Sequence, residues 1–297
     1  MRILISGGTG FIGRKLIEVL SRTNHHLIIL HRSKISSVYK NNKKIKFIKC
    51  DILKSLPKLS QIPEFDIIIN IAGLSGGRLD EKNYSKNKYL TENMLTLMNK
   101  NVKKFIHISS QAVYGNPNSL DIIEEFPLDP TFSAYSSSKV SSENCIKLFQ
   151  KNHKGVFFSL RFSGFVEGGG IVKYIKDQAL NNLPIKLYSK GNIYRDYISI
   201  DDGVRVICSC LKNKHSDSFI PINIGSGQLC NAKDIALYIC KNVGSSSKIE
   251  FIKEKPSLGN LTLNIKKAES MLNYCPKDFF KSIDDYIFEN KTNYVIL

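Results

Sequence analysis

Continuous apolar runs recur along the first half of the chain and alternate with amphipathic stretches, and this rhythm constrains the fold more than any other feature. The runs are RILIS (2–6), HLIILHR (26–32), IKFIKCD (45–51), FDIIINIAG (65–73), KKFIHISS (103–110) and VFFSLRFSG (156–164). A strand in a parallel sheet is apolar along its whole length, because helices cover both faces of the sheet. The β-α-β-α order therefore predicts an α/β fold with a doubly wound parallel sheet.

A glycine-rich loop, SGGTGFIG, joins the first predicted strand to the first predicted helix at residues 6–13. Its glycines have the spacing G-x-x-G-x-x-G, which allows a tight turn, a close approach to a pyrophosphate and close packing of helix on sheet. The helix N-terminus adds N–H groups and a positive dipole for the phosphates. We therefore predict a dinucleotide site at this loop. The loop residues predicted to contact the dinucleotide are Gly7, Thr9, Gly10, Phe11, Ile12 and Gly13.

The rhythm becomes irregular after about residue 165, where short strands, glycines and prolines mix with helices. A chain of 297 residues is long enough for one large domain with a smaller satellite. We expect a dinucleotide-binding Rossmann domain over residues 1–165, with a later strand and helix contributed from about 195–225. A smaller substrate-binding lobe is expected over most of residues 166–297.

The turn after the second strand distinguishes NAD from NADP. An acid there binds the ribose 2′-hydroxyl of NAD, whereas an arginine accommodates the 2′-phosphate of NADP. His31 stands at the place of the acid and Arg32 follows it, so this turn favours NADP(H), with NAD as the alternative. Asp51 ends the third run and is expected to accept from the adenine, although such aspartates are often turn caps. Further predicted cofactor contacts are Ile52, Ala72 and Gly73.

A serine, a tyrosine and a lysine form the predicted catalytic group. Ser110 ends the fifth run, and the carboxyl ends of parallel strands face the ligand crevice of doubly wound proteins. Tyr135 and Lys139 lie four residues apart in SAYSSSKVSSEN (133–144), hence on one face of a helix. The lysine ammonium and the nicotinamide charge would lower the tyrosine pKa, so that Tyr135 can move a proton while hydride is transferred. The remaining serines are interpreted as helix surface.

These motifs together resemble the extended short-chain dehydrogenase/reductases of the NAD(P)-dependent epimerase/dehydratase group, which act on nucleotide sugars. The segments that carry the resemblance are the glycine loop, NIAG (70–73), NKYLTEN (87–93), SSQAVYG (109–115), LRFSGF (160–165), YRDYISIDD (194–202) and NIGSG (223–227), with the tyrosine–lysine pair. The resemblance implies that Ser110, Tyr135 and Lys139 are catalytic and that Asn87 is the structural asparagine beside the cofactor. It also implies a nucleotide-diphosphate sugar as substrate and a homodimer.

Departures from the family pattern narrow the expected reaction. Sugar 4,6-dehydratases carry an Asp-Glu pair after the active-site residue, whereas Gln111 and an alanine stand here, so dehydration is not expected. Gly164 replaces an asparagine that contacts the substrate diphosphate, and Glu167 stands where a glycine is common. Arg195 matches a position that contacts nucleotide phosphates, and the alternative is a surface ion pair with Asp196. The predicted substrate contacts are Ser75, Ser110, Gln111, Gly164 and Arg195.

Two reactions at C4 of the sugar are compatible with these residues. One is the reduction of a 4-keto-6-deoxy sugar nucleotide by NADPH, and the other is 4-epimerisation with bound NAD. The turn at His31 and Arg32 favours the reductase. A non-catalytic NAD(P)- or RNA-binding regulator is a distant alternative, since it would not need a complete set of Ser110, Tyr135 and Lys139.

The net charge of +17 is the one unusual bulk property. The lysines are spread along the chain without an arginine-rich block. This spread favours a general bias of the sequence towards lysine, together with a phosphorylated small-molecule substrate, over nucleic acid. No apolar stretch reaches the ~20 residues of a membrane span, and the first run starts at Met1, so we expect neither a membrane partner nor a signal peptide. Seven scattered cysteines without a C-x-x-C pair indicate reduced thiols in the cytoplasm. The histidines lack metal-ligand spacing, so no metal is expected.

Overall fold

The computed structural model describes residues 1–33, 35, 39, 41–74, 80, 82–213, 215, 218–253 and 259–288. Its strands are β1 (Arg2–Ser6), β2 (His26–His31), β3 (Ile45–Lys49), β4 (Ile67–Asn70), β5 (Lys104–Ser110), β6 (Ser119–Ile122), β7 (Val156–Phe162), β8 (Gly164–Phe165), β9 (Ile185–Tyr188), β10 (Tyr194–Arg195), β11 (Tyr197–Ile198), β12 (Ser218–Ile224), β13 (Cys230–Asn231), β14 (Ile249–Ile252) and β15 (Leu261–Leu263). Its helices are α1 (Phe11–Ser21), α2 (Lys86–Leu95), α3 (Ala134–Gln150), α4 (Gly170–Leu180), α5 (Ile200–Lys212), α6 (Ala232–Val243), α7 (Lys266–Leu272) and α8 (Phe279–Phe288).

Seven strands form the central sheet, in the order β12-β7-β5-β4-β1-β2-β3, and every neighbouring pair is parallel. The strand order reverses between β1 and β4. In open α/β sheets such a reversal opens a crevice outside the carboxyl ends of the strands. The predicted α/β fold with a doubly wound parallel sheet is confirmed.

Both faces of the sheet are buried, which explains the continuous apolar runs. Successive side chains of a strand point to opposite faces, so Ile3 and Ile5 join one core cluster while Leu4 joins the other. Helices α1 and α5 cover the first face, and α2 and α3 cover the second. A sequence that alternated apolar with polar residues could not fill both clusters.

Three small sheets, built mostly from the second half of the chain, and a third core cluster complete the part of the fold that the structure describes. The sheets have the orders β13-β10-β15-β6, β11-β8 and β14-β9. Helices α4, α6 and α8 supply most of the third cluster, which includes Ile175, Ile239 and Ile283. Strand β12 returns to the central sheet beside β7. The proposed division at about residue 165 into two functional parts stays a prediction.

Helix α3 buries several of its serines. Ser133 caps the helix by accepting from the N–H of Ser136 at 3.0 Å. Ser136, Ser138 and Ser142 are fully buried, and each hydroxyl donates to a backbone carbonyl. The interpretation of these serines as helix surface was therefore wrong. Ser138 and Ser142 donate to carbonyls of α3 itself, whereas Ser136 donates to the carbonyl of Asp129 in the preceding loop. These small side chains leave room for α2 to pack closely.

Candidate active site

A pocket of about 1000 Å³ opens beyond the carboxyl ends of the central strands. It is the place where most of the predicted site residues meet. The predicted residues in its wall are Gly7, Thr9, Gly10, Phe11, Ile12, His31, Arg32, Asp51, Ile52, Ala72, Gly73, Ser110, Tyr135, Lys139 and Gly164. Gly13, Asn87, Gln111 and Arg195 do not line it, and Ser75 lies outside the described residues.

The glycine loop has the geometry that a pyrophosphate requires. Gly7 has a φ of +72°, and a Cβ atom there would lie 2.6 Å from the backbone nitrogen of Ala72. A Cβ atom on Gly13 would lie 2.3 Å from the carbonyl oxygen of Gly7, so this glycine serves packing. Gly10 faces the pocket, and helix α1 begins after it without a side-chain cap. The first N–H groups of α1 are therefore available to an anion, and the loop fits a dinucleotide.

The turn after β2 carries cations at the edge of this pocket. His31 Nδ1 lies 2.9 Å from the carbonyl oxygen of Ser33, and the His31 ring packs edge-on against Phe47. Arg32 is exposed, and the strand register places Lys49 beside His31. This end of the pocket therefore suits a negatively charged group as well as a ribose hydroxyl.

Asp51 is the one acidic residue among the described residues of the pocket wall. It lies two residues beyond β3, and its Oδ1 accepts from the N–H of Leu53 at 3.2 Å. One carboxylate oxygen thus caps the local turn. The other oxygen is the group that could accept from a ligand.

Ser110, Tyr135 and Lys139 lie close together in the pocket wall. Lys139 Nζ donates to the carbonyl oxygen of Ile108 at 2.7 Å and lies 5.9 Å from the centre of the Tyr135 ring. Burial lowers the pKa of Lys139 to about 8, and the Glu143 carboxylate opposes this shift. Lys139 is therefore still mostly an ammonium at neutral pH, although it loses its proton more readily than an exposed lysine.

The phenol of Tyr135 has a raised pKa in the protein. Burial raises it, and a hydrogen bond with Ser110 opposes the shift. The sequence predicts a lowered pKa from the nearby lysine and the nicotinamide, and the protein alone gives the opposite direction. A further cationic group beside the phenol is needed to reverse the effect of burial.

Asn87 fastens the segment after β4 to helix α3. Its Oδ1 accepts from the N–H of Leu74 at 2.7 Å, and its Nδ2 donates to the carbonyl of Leu74 at 3.1 Å and to Ser138 Oγ at 3.0 Å. A Cβ atom on Gly73 would lie 3.4 Å from Asn87 Oδ1 and 3.7 Å from Lys139 Nζ. Asn87 therefore shapes the pocket from behind its wall, and Ser138, three residues after Tyr135, is a partner that the sequence did not indicate.

A buried ion pair that the sequence did not predict lies next to the predicted catalytic residues. Arg161 on β7 donates to Glu143 on α3, with Nη2 and Oε2 separated by 2.7 Å, and both side chains are less than 5% exposed. The same carboxylate accepts from Ser109 at 2.6 Å and from Ser159 at 3.0 Å. Arg161 also donates to the hydroxyl of Tyr114 at 2.8 Å. The spacing from Lys139 to the acid, one helical turn, was the available indication.

Arg195 is half-buried on β10, and burial lowers its pKa. No ion pair joins it to an acid within the described ranges. Asp196 is fully buried and instead accepts from the N–H and the hydroxyl of Ser226, both at 2.7 Å. The alternative pairing of Arg195 with Asp196 is therefore wrong. Gln111 Oε1 is buried and accepts from no group in the part of the chain that the structure describes.

None of the described helices has the length and the hydropathy to cross a bilayer. The described residues contain no group of three or more histidine, cysteine, aspartate and glutamate side chains that could hold a metal ion.

The chain is similar in sequence and fold to proteins that are named for reactions of nucleotide sugars. The model of the NAD dependent epimerase/dehydratase family matches residues 3–225. A Methanocaldococcus jannaschii protein, named provisionally as a UDP-glucose 4-epimerase, is 30% identical over 91% of this chain and 92% of its own length. The dTDP-4-dehydro-6-deoxyglucose reductase of Escherichia coli is 27% identical over 92% of each chain. The crystal structure of the Bacillus cereus UDP-glucuronic acid 4-epimerase in complex with NAD has a TM-score of 0.83 and 25% identity, covering 97% of this chain and 99% of that one.

Proposed function

The chain belongs to the NAD dependent epimerase/dehydratase family, and from that premise we propose that it is a nucleotide-sugar 4-epimerase that uses NAD. The convergence of Ser110, Tyr135 and Lys139 beside the glycine-loop pocket carries the proposal. These side chains can remove and return the proton of a sugar hydroxyl, which a reversible oxidation at C4 requires.

Each catalytic side chain has a distinct task in this proposal. When bound, NAD supplies a hydride acceptor and donor at its nicotinamide ring. As the phenolate, Tyr135 would take the proton of the C4 hydroxyl on its phenol oxygen and, as the phenol, give it back in the reverse step. The hydroxyl of Ser110 donates to the same sugar oxygen, and the Lys139 ammonium favours the phenolate. Epimerisation requires the keto sugar to turn in the pocket and present its other face to the same phenol.

NAD is proposed over NADP because the B. cereus epimerase, of the same fold over nearly the whole chain, is described in complex with NAD. The preference for NADP(H) that His31 and Arg32 indicate stays a prediction. The pocket has room for either contact, since Asp51 can accept from a ribose or adenine and Arg32 can bind a phosphate.

Arg195 is the proposed contact to the substrate diphosphate. A half-buried guanidinium that has no acid for a partner within the described ranges is suited to a phosphate. Ser110, Gln111 and Gly164 are the other proposed substrate contacts for which the structure gives a position. The homodimer and the cytoplasmic location stay predictions.

The proposal is tested by product analysis with a catalytic variant. The purified protein is incubated with NAD and, separately, with UDP-glucose, UDP-N-acetylglucosamine and UDP-glucuronic acid, and the C4 epimers are resolved by NMR. We expect one of these pairs to interconvert, and Tyr135→Phe to slow turnover by about 10²- to 10⁴-fold with little change in dinucleotide affinity. If Tyr135→Phe leaves the rate unchanged, the proposed proton transfer is wrong.

A 4-ketoreductase is the second candidate, because the His31–Arg32 turn and the E. coli reductase relative both favour it. This activity would consume one NADPH for each 4-keto-6-deoxy sugar nucleotide, whereas an epimerase consumes none. Absorbance at 340 nm separates the two reactions. A non-catalytic nucleic-acid binder would instead lose affinity steeply with salt and be indifferent to Tyr135→Phe.

A further inference from the structure

One aromatic contact joins the two walls of the pocket. Phe11 is the first residue of α1, in the glycine loop, and Phe165 ends β8 on the opposite wall. Their ring centroids are 5.6 Å apart at an interplanar angle of 70°, the edge-to-face arrangement that aromatic rings favour. Both residues line the pocket. The contact therefore connects two sides of the pocket. One side is the glycine loop, which binds the phosphates in the proposed function, and the other is the segment after β7 that contains Phe165.

The segment that contains Phe165 is fixed by hydrogen bonds and by packing against α5. The N–H of Val166 donates to the carbonyl of Ile198 at 2.9 Å, and the next residue, Glu167, accepts from the N–H of Ile200 at 3.0 Å. A Cβ atom on Gly203 of α5 would lie 2.7 Å from the Phe165 ring, so helix and ring are in tight contact. The base of segment 164–167 is thus anchored on β11 and α5.

Phe11 stands on the outer side of the contact. Its side chain is 42% exposed, and a Cβ atom on Gly168 would lie 3.8 Å from its ring. Beyond Gly168, both Gly169 and Gly170 have positive φ values, and a Cβ atom on either would have no described neighbour within 4 Å. The Phe11 ring therefore lies between the Phe165 ring and residues 168–170, where Gly169 and Gly170 have open space around them. If Phe11 moved away, the two sides of the pocket would lose this aromatic contact.

We propose that the Phe11–Phe165 pair is a clasp that retains the dinucleotide by holding the glycine loop against the anchored wall. The inference rests on the proposed assignment of the pocket to a dinucleotide. An epimerase must keep the same dinucleotide through oxidation and return of the hydride, so slow release is useful to it. The pair is a positioning element, and it takes no part in proton transfer.

The test measures dinucleotide release rather than turnover. NADH bound to the protein is chased with excess NAD in a stopped-flow instrument, and NADH fluorescence reports its dissociation rate. We expect Phe11→Ala to release NADH about tenfold faster, whereas Phe11→Tyr, which keeps the ring, behaves as wild type. Phe251→Ala removes an aromatic ring that is 49% exposed outside the pocket and serves as the matched control with an unchanged rate.

A double-mutant cycle separates a clasp from a direct contact of Phe11 with the ligand. Phe165→Leu removes the ring from the anchored wall while keeping its apolar contacts with α5, and thermal unfolding confirms that the variant folds. A clasp predicts that Phe11→Ala and Phe165→Leu together release NADH no faster than the faster single variant. Additive effects, or a wild-type rate in Phe11→Ala, would overturn the clasp.

The clasp and the proposed reaction fail in different ways. If the variants release NADH faster but no sugar nucleotide is epimerised, the clasp stands and the reaction is wrong. If wild-type protein binds neither NADH nor NADPH, the pocket assignment is wrong and the clasp falls with it.

Discussion

At the scale of single residues, burial shifts the pKa values of Tyr135 and Lys139, the proposed catalytic pair. Burial raises the pKa of Tyr135 and lowers that of Lys139 to about 8, because both charged forms lose water in the pocket. At neutral pH the protein therefore holds a neutral phenol beside an ammonium whose charge is expensive to bury. Uptake of the sugar proton by Tyr135 therefore requires a further cation that favours the phenolate, and the buried ammonium lowers the stability of the fold.

Replacing Lys139 with methionine separates these two effects. The folded-state pKa of Lys139 lies below its ordinary value of 10.5, so the unfolded chain binds more protons between about pH 8 and 10.5 and stability rises with pH there. Lys139→Met should therefore have a free energy of unfolding about 1–2 kcal/mol above wild type at pH 7. Its advantage should shrink as the pH rises from 8 towards 10.5.

Denaturant unfolding of both proteins at several pH values measures that difference, and turnover should fall by at least about 100-fold at every pH. A variant that is less stable than wild type at pH 7, or a gap that widens with pH, would show that the buried ammonium stabilises the fold. Lys147→Met, at a surface position of the same helix, is the matched control.

At the scale of elements, the Glu143–Arg161 pair ties helix α3 to strand β7, and the carboxylate also holds the hydroxyl of Ser109 on β5. Helix α3 carries Tyr135 and strand β5 carries Ser110, so the Glu143 carboxylate connects the elements of both residues. A buried pair contributes little net stability by itself, but removing one partner leaves a buried charge without compensation.

Glu143→Gln should lower the free energy of unfolding by about 3–5 kcal/mol, because Arg161 would stay charged and lose its carboxylate. Replacing both Glu143 and Arg161 with methionine should recover much of that loss. Asp177→Asn breaks the exposed pair with Lys173 and should cost less than about 1 kcal/mol. Urea unfolding of the four proteins tests this ranking. Equal losses in Glu143→Gln and Asp177→Asn would contradict it.

The elements themselves could be predicted closely, and their contacts could not. The fifth run, 103–110, contains β5 (Lys104–Ser110), and the fourth run, 65–73, extends past both ends of β4 (Ile67–Asn70). The position and the burial of a strand follow from the local apolar pattern, whereas its exact ends do not. The burial of the serines of α3 could not be predicted, because it depends on how closely α2 packs against this helix. The Phe11–Phe165 contact joins residues 154 positions apart in sequence, and no local pattern indicates such a pair.

At the scale of the whole molecule, the reversal of the strand order brings three regions to one pocket. They are the glycine loop, the turn after β2, and the predicted catalytic residues Ser110, Tyr135 and Lys139. That meeting could be predicted, because carboxyl ends of parallel strands share one edge of the sheet. The choice between NAD and NADP is expected to depend on a few charged side chains at the edge of the pocket, such as Arg32. The fold itself does not fix this choice, because it can carry an acidic or a basic residue there.

Ligand binding should stabilise the whole molecule by mass action. At a concentration 100-fold above its dissociation constant, NAD should raise the free energy of unfolding by about 2.7 kcal/mol. Arg32→Asp places an acid at the β2 turn and should strengthen NAD and weaken NADP by about tenfold each. Thermal shifts with each dinucleotide measure both effects. A larger shift with NADP than with NAD in Arg32→Asp would show that this turn does not select the cofactor.

The fate of the hydrogen at C4 tests the central claim most directly. The protein is given the UDP sugar that it interconverts, carrying deuterium at C4, together with unlabelled NAD, and the C4 epimer is examined by mass spectrometry and NMR. A 4-epimerase that retains its dinucleotide returns the same hydride, so the product should keep deuterium at C4. Product that has lost the deuterium, or net oxidation of added NADPH in place of epimerisation, would contradict the account.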